Sequence, residues 1–352
     1  MALTCVVFFL LFFLSFACIL GLNDSKIKIP AVHAFGDSGI DAGNNQYIPN
    51  ARAKFNFRPY GIDFLGGLPT GRATNGKTVV DFIAESAGLP LPPPMLSLSK
   101  AQLKSTLTGV NYASSASGIQ SMPHKTAKLF VKVLSMKDQI KLFKKTTRSI
   151  KHGFESTESF ALHLSKSLFF INTGTNDIGV YWELDLSPSF YNVEDYASNV
   201  SKMFHKHLTN LYRLGARRFL VNNVSPLGCR PSYRHRIPHN ISCVEDVNRR
   251  VATFNDLFPK VLTKLEKSLK GSTFILCDLY KLFEEVHAQP QTYGFTNVVD
   301  SCCIDVNGNQ TRECAPGRTP CIDRGTHAFF DPFHSSQSMH KLWFQRCVKN
   351  II

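Results

Sequence analysis

The stretch AFGDSGIDAGNN, residues Ala34–Asn45, decides how the rest of the chain is interpreted. It continues the apolar run Pro30–Phe35, which predicts a buried strand that ends in a glycine turn. Ser38 lies where that strand would give way to a helix, a position that presents a hydroxyl beside unpaired backbone N–H groups. Gly-Asp-Ser turns also occur in loops without any chemistry, so the stretch needs support from elsewhere in the chain.

Apolar runs typical of strands recur along the chain, with helical patterns between them. Five runs qualify: Pro30–Phe35, Leu107–Ala113, Ser167–Thr173, Arg218–Val224 and Thr273–Cys277. Strands that alternate with helices indicate an α/β fold with a mainly parallel, five-stranded sheet that is covered on both faces. No stretch resembles a linker between domains, so we expect a single domain over residues 23–352.

Helical periodicity and its interruptions divide the segments between the strands. The helical patterns lie over Thr78–Ala87, Val193–Leu214, Val244–Leu257 and His334–Val348. Pro259 should kink or split the third helix, because proline removes a backbone donor and clashes with the preceding turn. Residues 288–333 hold a cluster of cysteines and little regular pattern, which predicts a long loop stapled by disulfide bridges.

The first 22 residues carry no charged side chain, and Val6–Leu20 is almost wholly apolar. That length is typical of the core of a signal peptide and short for a membrane span of about 20 residues. We therefore predict a signal peptide over residues 1–22 and a secreted, extracellular protein. An uncleaved N-terminal anchor is the alternative.

Eight cysteines follow this leader, and an even number in a secreted chain favours disulfides. The cluster has no close C-x-x-C pairs, so bridges rank above a metal site. The disulfide candidates are Cys229, Cys243, Cys302, Cys303, Cys314 and Cys321, while Cys277 and Cys347 either pair with each other or remain thiols. Asn-x-Ser/Thr sequences make Asn23, Asn199, Asn240 and Asn309 glycosylation candidates, and a fifth sequence, at Asn223, ends an apolar run and is not expected to be used.

The formal net charge is +14, with basic residues gathered in 125–151 and 213–250. Nothing in the sequence resembles a nucleic-acid-binding motif. A solvated, lysine-rich helix face explains residues 125–151 most simply. An acidic cell-wall matrix is the partner that the charge of a secreted protein would otherwise favour.

Polar motifs follow the predicted strands at the points where the strands end. Parallel strands place their carboxyl ends at one edge, where ligands bind in open α/β sheets. Ser38 would attack an acyl carbon, and His334 would take its proton and return it to the leaving group. Asp331, three residues earlier, can orient the imidazole and stabilise the imidazolium. The Ser38 N–H, a backbone N–H in Ser114–Ser117 and the Asn176 amide can stabilise the negative charge of the tetrahedral intermediate.

Each of these residues also has a simpler interpretation. His334 is able to start the last helix, Asp331 to form a turn before Pro332, and Asn176 with Asp177 to cap the following segment. Their occurrence together, in order and at strand ends, favours catalysis over four separate turns.

At the level of motifs, the chain resembles a plant-type GDSL esterase/lipase of the SGNH hydrolase superfamily. FGDSGIDAGNN matches the first block of that family with Ser38 at the nucleophile, GTND at 174–177 matches the third block with its asparagine at Asn176, and DPFH at 331–334 matches the Asp-x-x-His block. TGRATNGKTVVDF, NNVSPLGCRP and DSCC…C also resemble family segments. The last resemblances imply that Cys229 pairs with Cys243.

The second block departs from the pattern of the family. It reads NYASSASG at 111–118, so Ser115 stands where the resemblance expects a glycine whose N–H joins the oxyanion hole. The substitution keeps the N–H but loses conformational freedom, and a positive φ is costly for serine.

The resemblance implies a three-layer α/β/α, flavodoxin-like fold and hydrolysis of carboxylic acyl esters through an acyl-enzyme, without a metal or an organic cofactor. Lipids, cell-wall polymers and specialised metabolites are the expected sources of the ester, and the resemblance to a plant family makes the apoplast or cell wall the expected location. Acyl transfer by the same site and a non-catalytic binding or modifying role are the alternatives.

Overall fold

A computed structural model describes residues 28–122, 132–181, 192–237, 242–304, 307–308, 310 and 314–348. The predicted signal peptide and the glycosylation candidates Asn23, Asn240 and Asn309 lie outside these residues. Among the described residues, no helix is both long and apolar enough to cross a bilayer.

The centre of the structure is a sheet of four parallel strands in the order β1-β2-β3-β4. These strands are β1 (Val32–Gly36), β2 (Leu168–Asn172), β3 (Arg218–Asn222) and β4 (Thr273–Cys277). Their last residues are paired across the sheet, Gly36 with Asn172 and Asn172 with Asn222. The carboxyl ends therefore form a level edge on which loops can converge.

The predicted fifth strand, Leu107–Ala113, is not a regular strand. The segment runs parallel to β1 and exchanges backbone hydrogen bonds with it, but only Asn111 forms an isolated bridge to Ala34. Gly109 explains the irregularity, because its φ of 115° is outside the extended range and a Cβ on it would lie 2.0 Å from the carbonyl oxygen of Val32. The sheet thus has four strands and a loosely paired edge.

Helices follow or precede each strand. They are α1 (Val79–Ser86), α2 (Lys100–Ser105), α3 (Met136–Ile150), α4 (Thr157–Lys166), α5 (Val193–Arg213), α6 (Pro231–Arg234), α7 (Glu245–Asn255), α8 (Leu257–Ser268), α9 (Leu279–Ala288) and α10 (Gln337–Cys347). As Pro259 predicted, the pattern after Val244 is split, into α7 and α8. The last helix begins after His334, which lies in the preceding loop.

Side chains of the strands alternate between two apolar cores, one on each face of the sheet. Phe35, Phe169 and Phe219 pack with α3, α5, α7 and α8 on one face. Ala34, Phe170 and Leu220 pack with α1, α9 and α10 on the other. Because successive residues of a strand point to opposite faces, this period of two forms the three-layer α/β/α architecture that the sequence predicted.

Residues 288–333 contain more regular structure than their sequence pattern indicated. A second, two-stranded parallel sheet joins β5 (Asn297–Ser301) to β6 (His327–Phe329). Disulfide bridges hold this region, and the bridges of the structure are Cys229–Cys243, Cys277–Cys347, Cys302–Cys321 and Cys303–Cys314. The implied Cys229–Cys243 pair is confirmed, and the open choice for Cys277 and Cys347 is resolved as a bridge.

His33 lies on β1 among Tyr112, Phe143 and Phe169, and it is buried. Neither of its ring nitrogens has a hydrogen-bond partner within the described part of the chain. Burial, and then the charge of His163, lower the pKa of His33 to about 3. The unfolded chain takes up a proton near pH 6.5 that the folded chain does not, so this residue costs stability as the pH falls from 6.5 towards 3.

Replacing His33 with phenylalanine should remove that cost. As the pH falls through this window, the free energy of unfolding should decrease in both proteins. The decrease should be steeper for the parent chain than for His33→Phe, by about 1.4 kcal/mol per pH unit. Urea unfolding at pH 7 and pH 5 measures the difference, with His152→Phe, at an exposed position, as the control. Identical pH slopes for the parent and His33→Phe would contradict a buried neutral imidazole.

Candidate active site

The nucleophile candidate lies just after β1, in a turn where the backbone passes very close to the end of β2. Gly36 has a φ of 156°, and a Cβ at this residue would lie 1.9 Å from the carbonyl oxygen of Asn172 at the end of β2. The amide of Gln139, on α3, holds both polar groups of the Gly36 backbone. The strand end is thereby fixed, and Ser38 is two residues beyond it.

The structure brings Ser38, His334 and Asp331 into one hydrogen-bonded series. The Oγ of Ser38 is 2.9 Å from Nε2 of His334. Nδ1 of the same imidazole is 2.8 and 2.9 Å from the two carboxylate oxygens of Asp331. Such a series allows the imidazole to accept the hydroxyl proton while the carboxylate fixes its tautomer and stabilises the positive charge.

Asp331 is completely buried and saturated with donors. Its Oδ1 accepts the backbone N–H groups of Phe333 and His334, both at 2.8 Å, and its Oδ2 accepts the hydroxyl of Tyr60 at 2.6 Å. Burial alone would raise the pKa of Asp331, but the charge of His334 and these hydrogen bonds outweigh it and hold the pKa below its ordinary value. The carboxylate therefore stays ionised at neutral pH.

Disulfide bridges brace the segment that leads to Asp331. Backbone N–H groups of Cys302 and Cys303 donate to the carbonyl oxygens of Phe329 and Phe330. Both cysteines are bridged, to Cys321 and to Cys314 respectively. Since Phe330 directly precedes Asp331, the cysteine cluster positions one end of the hydrogen-bonded series.

The structure does not place Ser115 at the oxyanion position that the sequence predicted. Both its N–H and its hydroxyl donate to Oδ2 of the buried Asp41, each at 3.0 Å. Ser115 is absent from the residues that line the cavities at Ser38, and its neighbour Ala116 lines the larger one. The positive φ expected in this loop, 66°, is also at Ala116. Asp41 thus binds Ser115, and the next residue, Ala116, lines the cavity.

Asn176 does lie beside Ser38, in the same cavity. One N–H of its amide donates to the carbonyl oxygen of Ser117 at 2.8 Å, which leaves the second N–H of that amide for a ligand. The neighbouring Asp177 accepts the backbone N–H groups of Ile119 and Gln120. Burial raises the pKa of Asp177 to about 7 against these opposing hydrogen bonds. The loop after Ser114 is thus fastened to the end of β2.

The backbone N–H of Ser38 completes the set of donors. It has no hydrogen-bond acceptor among the described residues, whereas the N–H groups of Asp37 and Gly39 are bonded to Asn172 and to Asp37. Three positions, Ser38, Ala116 and Asn176, therefore surround the larger cavity beside the nucleophile.

Two cavities reach Ser38 and His334 from different sides. The larger has a volume of about 230 Å³, with Phe55, Val180 and Phe333 among its walls. The smaller, of about 50 Å³, lies on the side of α9 and α10. A site of this kind admits a small ester group to the serine while apolar walls hold the chain attached to it.

Among the described residues, one cluster outside this site has side chains of the metal-ligating type: Cys321, Asp323 and His327. Cys321 is bridged to Cys302, so its sulfur cannot act as the thiolate that binds zinc. The cluster therefore does not fit a metal site.

The sequence did not indicate Tyr60 or Asp41 as parts of the site, and it included Ala116 only as one member of the loop Ser114–Ser117. Asp41 is in the quoted opening stretch, but its spacing carries no signal for a partner 74 residues away. Tyr60 meets Asp331 across 271 residues, and only the fold brings them together.

A parallel α/β/α sheet that carries a hydrogen-bonded serine, histidine and aspartate at its carboxyl edge defines the class of serine hydrolases. Within that class, the chain belongs to the GDSL-like lipase/acylhydrolase family, whose model matches residues 32–347. It is 36% identical to GDSL esterase/lipase 7 of Arabidopsis thaliana over 91% of this chain and 88% of that protein. A second GDSL esterase/lipase of the same plant is 38% identical over 91% of this chain and 81% of that protein. The chain is accordingly an enzyme of the carboxylic ester hydrolase class.

The amide of Asn176 offers a test of the donors. Replacing Asn176 with alanine should lower kcat for a small ester by about 10²–10³, with little change in KM, because the amide acts on charge that exists only in the transition state. Steady-state kinetics measures both constants, and an unchanged thermal midpoint excludes a folding effect. A variant with full kcat would remove Asn176 from the donor set.

Proposed function

We propose that this protein is a secreted serine esterase or lipase that cleaves carboxylic acyl esters through an acyl-enzyme on Ser38. The observation that carries the proposal is the continuous series from the Ser38 hydroxyl through His334 to Asp331, with 2.9 and 2.8 Å between the atoms, open to a cavity.

His334 acts first as a base and then as an acid. Its Nε2 takes the Ser38 proton while Oγ bonds to the acyl carbon, and the same proton passes to the oxygen of the departing alcohol. Water then enters, loses a proton to Nε2 and attacks the acyl-enzyme. This releases the acid and returns the proton to Ser38. Asp331 remains ionised throughout and stabilises the imidazolium.

The tetrahedral oxyanion is stabilised by the backbone N–H of Ser38 and the amide of Asn176. Ser115 does not contribute its N–H, since Asp41 already binds it. Each such donor typically contributes about 10²–10³ in turnover.

Features outside the site support secretion. All eight cysteines after the leader form bridges, which suits an oxidising compartment. Asn199 is exposed on α5 and suits glycosylation. Asn223 does not, because its amide donates to Asp278 and its oxygen accepts from Tyr280. The substrates proposed are esters of lipids, cell-wall polymers or specialised metabolites outside the cell.

A fluorophosphonate probe tests this proposal at the level of a single atom. It should label Ser38 of the parent chain, detected by peptide mass spectrometry, because only an activated hydroxyl reacts. His334→Ala should label far more slowly, and denatured protein not at all. Absence of label on Ser38 together with no turnover of short-chain aryl esters would favour the alternative, a non-catalytic binding or modifying protein.

Acyl transfer uses the same acyl-enzyme and differs only in the acceptor. An added alcohol that diverts the acyl group into a new ester, at the expense of free acid, would identify a transferase. Product analysis with and without the alcohol distinguishes the two activities.

A basic groove supports contact with an acidic matrix. The groove, of about 570 Å³, lies between α3 and α5, and its positive side chains are Lys137, Lys141, Lys144, Lys206 and Arg213. Salt-sensitive retention on an acidic polysaccharide would support this role, and retention that survives Lys137→Glu/Lys144→Glu would argue against it.

A further inference from the structure

Arg230 stands between the two cavities of the site and lines both of them. It lies in the turn between β3 and α6, where its backbone accepts the N–H groups of Tyr233 and Arg234. Within the described part of the chain its side chain makes one hydrogen bond, from Nη2 to the hydroxyl of Ser225 at 3.2 Å. A guanidinium group has five N–H donors, so most of its hydrogen-bonding capacity is unused beside the nucleophile.

No carboxylate among the described residues forms an ion pair with Arg230 that would explain its position. The charges of Asp37 and Asp331 act on Arg230, yet neither carboxylate forms an ion pair with it among the described residues. Asp331 is engaged by Tyr60, Phe333 and His334. Oδ2 of Asp37 is buried and accepts no hydrogen bond from the residues that the structure describes. An arginine that served only to neutralise Asp37 would be expected to bond to that oxygen.

The walls of the larger cavity strengthen the positive character. None of the described residues that line it is acidic, and Arg236 is a second cation in the wall, with its guanidinium 4.4 Å from the centre of the Tyr233 ring. The remaining walls are largely apolar, with Phe55, Leu227 and Phe333 among them. A partly desolvated guanidinium with unused donors is the group that proteins use to bind carboxylates in pairs of parallel hydrogen bonds.

We propose that the larger cavity selects esters that carry a carboxylate, which Arg230 binds while Ser38 attacks the ester bond. This inference rests on the proposed function, since it names the substrate class of the same site. Arg236 adds to the positive potential, and Arg230 is the specificity-determining residue. Esters can carry the carboxylate on either the acyl or the alcohol part, and the two placements require separate probes.

The test measures binding to Ser38→Ala, so that its result does not depend on hydrolysis. One pair of probes is the mono-4-nitrophenyl ester of glutaric acid and its analogue with a terminal carboxamide. A second pair is phenyl acetate with a carboxylate or a carboxamide at the para position of the ring. Within each pair the shape is nearly constant and the charge changes. Calorimetry should give about 10- to 100-fold tighter binding of the charged member in at least one pair.

The variant Ser38→Ala/Arg230→Gln should lose this preference, and Ser38→Ala/Arg230→Lys, which keeps the charge without the planar fork, should retain part of it. Ser38→Ala/Arg217→Gln is the matched control, because Arg217 is half-buried like Arg230 but lies outside both cavities. Equal binding within both pairs, or a preference that survives in the folded glutamine variant, would overturn the inference. If the glutamine variant does not fold, undiminished preference in the lysine variant and in Ser38→Ala/Arg236→Gln overturns it.

Hydrolysis is scored separately on the parent chain with neutral aryl esters. Absent turnover with an intact carboxylate preference would reject the proposed esterase and keep the anion site. Normal turnover without any preference for the charged probes would keep the proposed esterase and reject the anion site.

Discussion

Replacing Ser38 with alanine is expected to lower the turnover of a short-chain aryl ester by about 10⁴-fold or more while the protein remains folded. The reason is that Oγ is the atom that forms the acyl-enzyme, and among the described residues no other hydroxyl is hydrogen-bonded to Nε2 of His334. The remaining rate would come from the donors around the cavity and from substrate binding alone.

The side chain of Ser38 makes one protein hydrogen bond, to His334, so its loss should hardly change stability. Steady-state kinetics and thermal unfolding of the purified variant measure the two quantities. Ser149→Ala, on α3, is the matched control, because its hydroxyl bonds only to the carbonyl of Lys145 in its own helix. Equal turnover by Ser38→Ala and Ser149→Ala would refute a serine mechanism at this site.

The site residues that the sequence predicts share one property: each is placed by its position at a strand end or by a short spacing along the chain. Ser38 follows β1 and Asn176 follows β2, and parallel strands bring their carboxyl ends to one edge. Asp331 and His334 are three residues apart in a loop, so their contact is local as well. Strand ends and short spacings are visible in a sequence, and the three-layer fold follows from the same alternation of strands and helices.

The parts that the sequence did not predict depend on distant contacts. Asp41 binds Ser115 and thereby makes Ala116 the residue that lines the cavity, a shift of one position that no motif encodes. The edge segment fails as a strand because Gly109 approaches Val32. In both cases a tertiary contact overrides a local pattern, and such overrides become visible only when the chain is folded.

A buried ion pair joins two residues of the TGRATNGKTVVDF segment and is hydrogen-bonded to the loop that follows the nucleophile. Nε and Nη2 of Arg72 donate to the two oxygens of Asp81 at 2.8 and 2.7 Å. Nη1 donates to the carbonyl oxygen of Ala42, in the loop that follows Ser38. Asp81 also accepts the backbone N–H and the hydroxyl of Thr78, which caps α1. Both charged side chains are almost completely buried, with 6% and 2% exposed.

Removing one partner should leave an unpaired buried charge. Arg72→Met is expected to lower the free energy of unfolding by about 3–5 kcal/mol at pH 7. Arg324→Met is the matched control: Arg324 makes the same two-bond contact with Asp63 at 2.7 Å, but these side chains are 28% and 25% exposed. Its loss should cost about 1 kcal/mol or less. Similar losses in the two variants would show that burial does not set the cost.

The pH dependence of this loss identifies its cause. In the parent chain, burial opposes but the charge of Arg72 and the hydrogen bonds prevail, so the pKa of Asp81 lies below its ordinary value. The stability from the pair is therefore present above the pKa of the unfolded chain and is lost as the pH falls through the folded pKa. Without Arg72, burial raises the pKa of Asp81, and acid then relieves the unpaired charge by protonating it. The stability deficit of Arg72→Met should thus be largest at pH 7 and shrink towards pH 4, whereas a deficit that stays constant over this range would indicate lost packing in place of lost charge.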